Sequence, residues 1–60
     1  METIDVIWFE KNGIYHATFD GRVLEANSRQ DMVDEVKEIL EAEYGKKVHM
    51  KITQRVPPKD

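Results

Sequence analysis

Sixty residues make a single domain, and a chain this short buries only about 60% of the surface that its unfolded form exposes. The sequence contains no cysteine, which excludes disulfides, thiolate metal sites and thiol catalysis, so association is the remaining common source of extra stability. The net charge of −3 conceals two opposite blocks. Residues 28–44 carry six carboxylates against two basic residues, whereas residues 45–60 carry five basic residues against one carboxylate.

The chain carries no predicted membrane-spanning or targeting segment. Its longest uninterrupted apolar run is VIWF, residues 6–9, far below the roughly 20 residues that a membrane span needs. The N-terminal METID is acidic and lacks the basic region and apolar stretch of a signal peptide. We therefore expect a cytoplasmic protein with no membrane contact.

The first predicted element is a β-hairpin. TIDVIWFE, residues 3–10, is rich in β-branched and aromatic types, and Asn12-Gly13 favours the positive φ angles of a two-residue type I′ turn. This turn pairs Lys11 with Ile14, so IYHATF returns antiparallel to the first strand. The same register fixes which side chains face the core: Ile4, Val6, Trp8, Tyr15, Ala17 and Phe19.

A second two-residue turn follows at FDGR. It sets Ala17 against Leu24 and makes RVLEA, residues 22–26, a short third strand. Leu24 then joins the core face and Val23 points the other way.

The helix is the clearest element of the sequence. Ser28 is a suitable N-cap, Asp31 is spaced for a capping box, and Gly45 stands where a left-handed residue ends a helix. One apolar stripe is predicted to face the sheet, formed by Met32, Val33, Val36, Ile39 and Leu40, with Tyr44 at its margin.

The last strand is predicted within KKVHMKITQRV, residues 46–56. Its apolar residues fit a core face: Val48, Met50, Ile52 and Val56. The alternating positions form a basic row: Lys47, His49, Lys51, Thr53 and Arg55. Pro57-Pro58 ends the strand because proline cannot donate to a ladder, and residues 57–60 are predicted to be a frayed tail.

The element order predicts an α+β fold of the form β-β-β-α-β in one domain, residues 1–60. A right-handed crossover places the last strand parallel to the first, giving a four-stranded mixed sheet of order 3-2-1-4 with the helix on one face. The other face is left uncovered by the chain itself. A slip of one residue in register would exchange the two faces of the first strand.

The pattern of these elements resembles the N-terminal domain of HicB-type antitoxins. Gly13-Ile14-Tyr15 is similar to the family's glycine-aromatic entry into its second strand, and Ser28 to Leu40 is similar to its helix start. The resemblance covers roughly residues 3–56 and does not include the C-terminal DNA-binding domain that these antitoxins usually carry. It implies a fold and a protein-binding, dimer-forming habit.

The uncovered sheet face is the predicted functional surface. Exposed apolar residues rimmed by charge indicate a contact site, and a chain this small benefits from association. We therefore expect a non-enzymatic protein-binding module of antitoxin-like, regulatory or inhibitory type, acting as a homodimer. The predicted contact residues are Ile7, Phe9, Ile14 and Val23, with Lys51 and Arg55 at the rim.

A nucleic-acid-binding module is the alternative. Readers of single strands combine cations with stacking groups on a sheet face. The residues that would serve here are Lys47, His49, Lys51, Arg55, Phe9 and His16. The basic row has two further interpretations: a contact with an acidic protein surface, including the helix of a second copy, and an edge device, because charged residues on an edge strand suppress unwanted pairing.

No residue set predicts catalysis, a metal or a cofactor. His16 and His49 are the only histidines, and the strand between them separates them by about 10 Å. Asp5 and Asp20 would face each other at the open end of the hairpin, but Asp20 is expected to use its side chain for the adjacent turn.

Overall fold

Residues 2–59 are described by a computed structural model that contains one helix and one four-stranded sheet. The elements are β1 (Thr3–Lys11), β2 (Ile14–Phe19), β3 (Arg22–Ala26), α1 (Arg29–Tyr44) and β4 (His49–Gln54). The strand order is β3-β2-β1-β4, with β1 and β4 parallel and the other neighbours antiparallel. The predicted α+β class and order are confirmed. Asp60, at the end of the predicted tail, lies outside the described residues.

Two tight turns set the register of the antiparallel strands. Asn12 and Gly13 have φ angles of 55° and 81°, and Asp20 and Gly21 have 50° and 75°. Both turns thus have the two positive φ angles of type I′, whose twist matches that of the flanking strands. Trp8 lies opposite Ala17, which confirms the predicted pairing of the first hairpin.

The core lies between α1 and one face of the sheet. Its buried side chains come from β1, β2 and α1, and they are Val6, Trp8, Ala17, Phe19, Met32, Val36 and Leu40. The partly buried residues packed against them include Ile4, Tyr15 and Leu24, as the register predicted. Met50 and Ile52 extend this layer from β4.

Both ends of α1 are capped, with Ser28 as predicted at the start, whereas Gly45 has a ψ of 169° and so lies outside the left-handed helical conformation predicted for it. The Ser28 Oγ accepts a hydrogen bond from the backbone N–H of Asp31 at 3.1 Å. Gly45 has a φ of 91°, and its N–H donates to the carbonyl of Glu41 at 2.9 Å. These contacts satisfy backbone groups that a helix end otherwise leaves unpaired, and they thereby fix the residues at which the helix begins and ends.

β4 is shorter than predicted. Regular pairing runs from His49 to Gln54, and the Arg55 N–H still donates to the carbonyl of Trp8 at 2.8 Å. The prediction that Val56 contributes to the core is wrong, because its side chain is 82% exposed. The next two residues are prolines, which have no N–H with which to extend the ladder.

The C-terminal end of α1 is tied to the β2–β3 turn. The Tyr44 hydroxyl donates to Oδ2 of Asp20 at 2.7 Å, and Arg22 lies 3.2 Å from a carboxylate oxygen of Glu43. The expectation that Asp20 uses its side chain for the adjacent turn is therefore wrong, because its carboxylate accepts from Tyr44 instead. Its carboxylate is held toward the helix, on the side of the sheet that α1 covers.

The Tyr44–Asp20 hydrogen bond is expected to make stability depend on alkaline pH. The pKa of the Tyr44 phenol is raised above its usual 10.0, first by this hydrogen bond and then by desolvation and nearby carboxylates. A raised pKa in the folded chain means that this stabilisation is complete below pH 10 and is lost as pH rises through the higher folded value. The stability difference between wild type and Tyr44→Phe should therefore shrink above pH 10.

Urea unfolding of both proteins from neutral to strongly alkaline pH measures this difference directly. Lysine and arginine titration affects both chains alike and cancels in the comparison. Tyr15→Phe provides a control in which the other tyrosine is removed. A wild-type minus Tyr44→Phe difference that stays constant across pH 10 would contradict the prediction.

Candidate functional site

The face of the sheet away from α1 is the candidate site, and we call it the open face. Side chains alternate along a strand, so the neighbours of the core residues point here. The registers align them into rows that cross the sheet at right angles to the strands.

The first row combines two rings with two charged groups, and we call it the aromatic row. The rings of Phe9 and His16 stack with centroids 4.7 Å apart and planes 14° apart. The Arg55 guanidinium carbon lies 5.4 Å from the Phe9 centroid, and Glu25 Oε2 lies 3.2 Å from His16 Nδ1. The row therefore runs continuously from β3 to the residue that follows β4.

The second row contains no ionisable side chain, and we call it the uncharged row. Val23 pairs with Thr18, Thr18 with Ile7, and Ile7 with Thr53, so the row crosses all four strands. Val23 is 75% exposed and Ile7 is 42% exposed. Two β-branched apolar side chains of this row thus contact solvent, Ile7 on an inner strand and Val23 on the edge strand β3.

A third row holds opposite charges side by side. Asp5 of β1 is the register partner of Lys51 of β4, and both are exposed. Neither Lys51 nor Arg55 forms an ion pair with any of residues 2–59, so their charges remain available to a partner.

Charge is distributed unevenly across the open face. The β3 side carries Glu25, whereas the β4 side carries Lys51 and Arg55. The face is therefore negative at its β3 edge and positive at its β4 edge, and the uncharged row crosses it from one edge to the other.

The structure brings most predicted contact residues onto this face. Ile7 and Val23 are the most exposed apolar members, while Phe9 and Ile14 are half-buried beside their neighbours. Sequence reasoning missed Glu25, although the register of the β2–β3 turn already placed it opposite His16.

The predicted nucleic-acid set is less well assembled. Lys47 lies in the turn before β4 instead of on the strand. Phe9 is flanked by His16 from β2 and by Arg55 from the opposite side, because β1 lies between β2 and β4. The Phe9 ring thus already contacts two neighbours, and a base that stacked on it would compete with them.

The two histidines lie farther apart than the sequence suggested. His49 pairs with Thr3, whereas His16 pairs with Phe9, six residues along β1 and so about 20 Å away. Among residues 2–59, no group of three or more histidine or carboxylate side chains is arranged to hold a metal ion. Asp5 and Asp20 also fail to form a carboxylate pair, because Asp20 binds Tyr44.

A shallow groove lies on the other side of the molecule, between β3 and α1. It has a volume of about 380 Å³, and its lining combines apolar and acidic side chains: Leu24, Glu35, Glu38, Ile39 and Ala42. The carboxylates belong to the solvent-facing side of α1, where they keep the helix hydrated.

Comparisons with known proteins found no matching family model, no matching curated protein and no matching solved structure. Over the part of the chain that is described, no helix combines the length and apolar composition needed to cross a membrane.

Proposed function

We propose that this chain is a non-enzymatic protein-binding module that docks its partner on the open face. The observation that carries the proposal is the uncharged row, in which Ile7 and Val23 remain exposed between two rows of charged groups. Protein interfaces have this anatomy of an apolar centre and a polar rim. The helix cannot supply the cover, because it already packs against the opposite side of the sheet.

The side chains of the aromatic row are already ordered in the free chain, which favours the docking of a folded partner. The aromatic row is held by ring stacking and by contacts at both of its ends, so its side chains lose little further entropy when a partner binds. Phe9 and Arg55 belong to residue types that are enriched at interfaces. Together these features favour protein recognition over a merely hydrated sheet surface.

The role that we propose is regulatory or inhibitory, in the manner of an antitoxin that covers a surface of its partner. The resemblance to HicB-type antitoxins supports this role and remains a prediction. A cytoplasmic location remains a prediction in the same way.

Binding of nucleic acid is the second candidate. It is favoured by Lys51 and Arg55, which project from one face without an ion pair to any of residues 2–59. Such binding would weaken steeply with salt as counterions return to the phosphates. It is disfavoured because Phe9 and His16 stack on each other and Phe9 also contacts Arg55, so a base would have to compete with these contacts to stack.

Site-specific photo-crosslinking in the producing cells tests the proposal. A benzophenone amino acid at position 7 should form protein adducts that excess unlabelled chain suppresses, since Ile7 lies at the centre of the open face. The same group at position 37, on the exposed side of α1, serves as the matched control. Equal labelling from both positions would contradict the proposal, and adducts that nuclease removes would favour nucleic acid.

A further inference from the structure

We infer that the open face binds a second copy of this chain, sheet against sheet, with a two-fold axis parallel to the strands. This inference rests on the proposed function and names the partner and its orientation. It follows from the uneven distribution of charge across the sheet.

The two ends of the aromatic row carry opposite charges at the same level of the sheet. Glu25 lies on β3, one edge of the sheet, and Arg55 follows β4 at the other edge. Both belong to the row that Phe9 and His16 fill between them. If a second copy is turned so that its β3 edge lies over the β4 edge of the first, the negative end of each row faces the positive end of the other. The surface is therefore complementary to itself.

A two-fold axis parallel to the strands performs that reversal. It places β3 of one copy over β4 of the other and leaves each row facing the same row. Glu25 then faces the partner's Arg55, and this contact occurs twice because the interface is isologous. In the uncharged row, Ile7 lies over the partner's Thr18 and Val23 lies over the partner's Thr53.

The spacing of packed sheets suits these contacts. Aligned sheets pack about 10 Å apart with their strands about 30° from parallel, which accommodates the twist of each sheet. Glutamate and arginine side chains extending from opposite sheets can meet across that gap. The carboxylate of Glu25 is more than half exposed and can accept hydrogen bonds beyond its contact with His16.

The other in-plane axis, at right angles to the strands, is unfavourable. It would lay the aromatic row of one copy over the third row of the other and bring Arg55 close to the partner's Lys51. Like charges facing each other across an interface oppose binding. Charge therefore selects one of the two orientations.

The Tyr44–Asp20 hydrogen bond removes an obstacle to the selected orientation. Asp5 would lie over the partner's position 20, where an open-face carboxylate would repel it. The Asp20 side chain is instead held toward α1 by the Tyr44 hydroxyl. The third row therefore presents Asp5 and Lys51 without a facing carboxylate.

The size of the face predicts a reversible dimer. Four strands about 4.8 Å apart, each with about six residues, make a face of roughly 400 Å² per copy. Stable protein–protein interfaces bury about 800 Å² per partner. We therefore expect monomer and dimer to exchange with concentration, which sets the range over which the dimer must be sought.

Charge reversal in trans tests the orientation. Glu25→Arg and Arg55→Glu should each lower the dimerisation affinity by about tenfold or more, because each places two like-charged contacts in its homodimer. An equimolar mixture of the two variants should restore affinity to within about threefold of wild type, since both contacts again join opposite charges. Sedimentation equilibrium from low micromolar to millimolar concentration measures the dimerisation affinity of the wild type, of each variant and of the equimolar mixture.

Rescue in trans separates an intermolecular contact from local damage. Glu25→Arg also loses its contact with His16, and Arg55→Glu loses its contact with Phe9, but mixing two chains repairs neither. Glu35→Arg on α1 is the matched charge-reversal control and should leave the affinity unchanged.

Each outcome decides the inference. A wild-type chain that stays monomeric to millimolar concentration overturns the inference of a dimer. Crosslinking at position 7 then still tests the proposed function independently. A dimer that Ile7→Glu disrupts but that the mixture does not rescue overturns the orientation and leaves the open face as the docking site. A stronger dimer for Arg55→Glu alone would indicate the perpendicular axis.

Discussion

Replacing Phe19 with alanine is expected to remove about a third or more of the protein's free energy of unfolding. Phe19 is 2% exposed and lies in the layer between the sheet and α1. Removing a buried phenylalanine costs about 3–5 kcal/mol through lost burial and the cavity left behind. A 60-residue domain has a total stability of only about 3–9 kcal/mol, so the loss is a large fraction of the free energy of unfolding.

Phe9→Ala is the matched control, because it removes the same side chain from the adjacent strand on the opposite face. Phe9 is only half-buried, and its contacts are a ring stack and a guanidinium. We expect a cost of about 1–2 kcal/mol in the monomer. Thermal unfolding followed by circular dichroism compares the two variants, and equal losses would contradict the assignment of the two sheet faces.

Ile7→Glu is expected to weaken partner binding by about thirtyfold or more while leaving the fold intact. The side chain is 42% exposed in the free chain and lies at the centre of the uncharged row, where a partner would bury it. Burying an unpaired carboxylate costs at least about 2 kcal/mol, which corresponds to a loss of about thirtyfold in affinity. The helical signal and unfolding midpoint should change little, because solvent hydrates the new carboxylate in the free chain.

Val56→Glu makes the same change of charge at an exposed apolar residue outside the paired strands. Its side chain is 82% exposed, and it should bind the partner as wild type does. Titration calorimetry, or sedimentation for a self-association, measures both variants. Equal binding by Ile7→Glu and Val56→Glu would remove the open face as the docking surface.

The antiparallel half of the sheet could be derived from the sequence because local chemistry determines it. Asn12-Gly13 and Asp20-Gly21 both adopt the paired positive φ angles of type I′ turns. A two-residue turn leaves one register for the strands that it joins, so the facing of Trp8 against Ala17 follows from the turn alone.

The bounds of β4 were less accessible, because they depend on a partner strand distant in sequence. Alternation alone carries the strand on to Val56, but pairing with β1 ends near Arg55. The two prolines mark the end of the strand only to within a few residues. The parallel direction of β4 was predictable because a right-handed crossover allows no other.

Contacts between side chains of different elements were decided only by the tertiary structure. The Asp-Gly signal placed Asp20 in a turn and periodicity placed Tyr44 at the margin of the helix stripe, yet no local pattern indicated that the two would form a hydrogen bond. The flanking of Phe9 by His16 and Arg55 likewise requires strands from both ends of the chain to meet. These contacts determine which groups of the open face remain available to a partner.

The sequence by itself determined the element order, the turn types, the faces of the strands and the caps of the helix, because each depends on residues within a few positions of one another. The tertiary structure decided where the charges of β3 and β4 lie relative to the exposed apolar centre. That relation depends on how strands distant in sequence are aligned side by side. The proposed docking surface is argued from it.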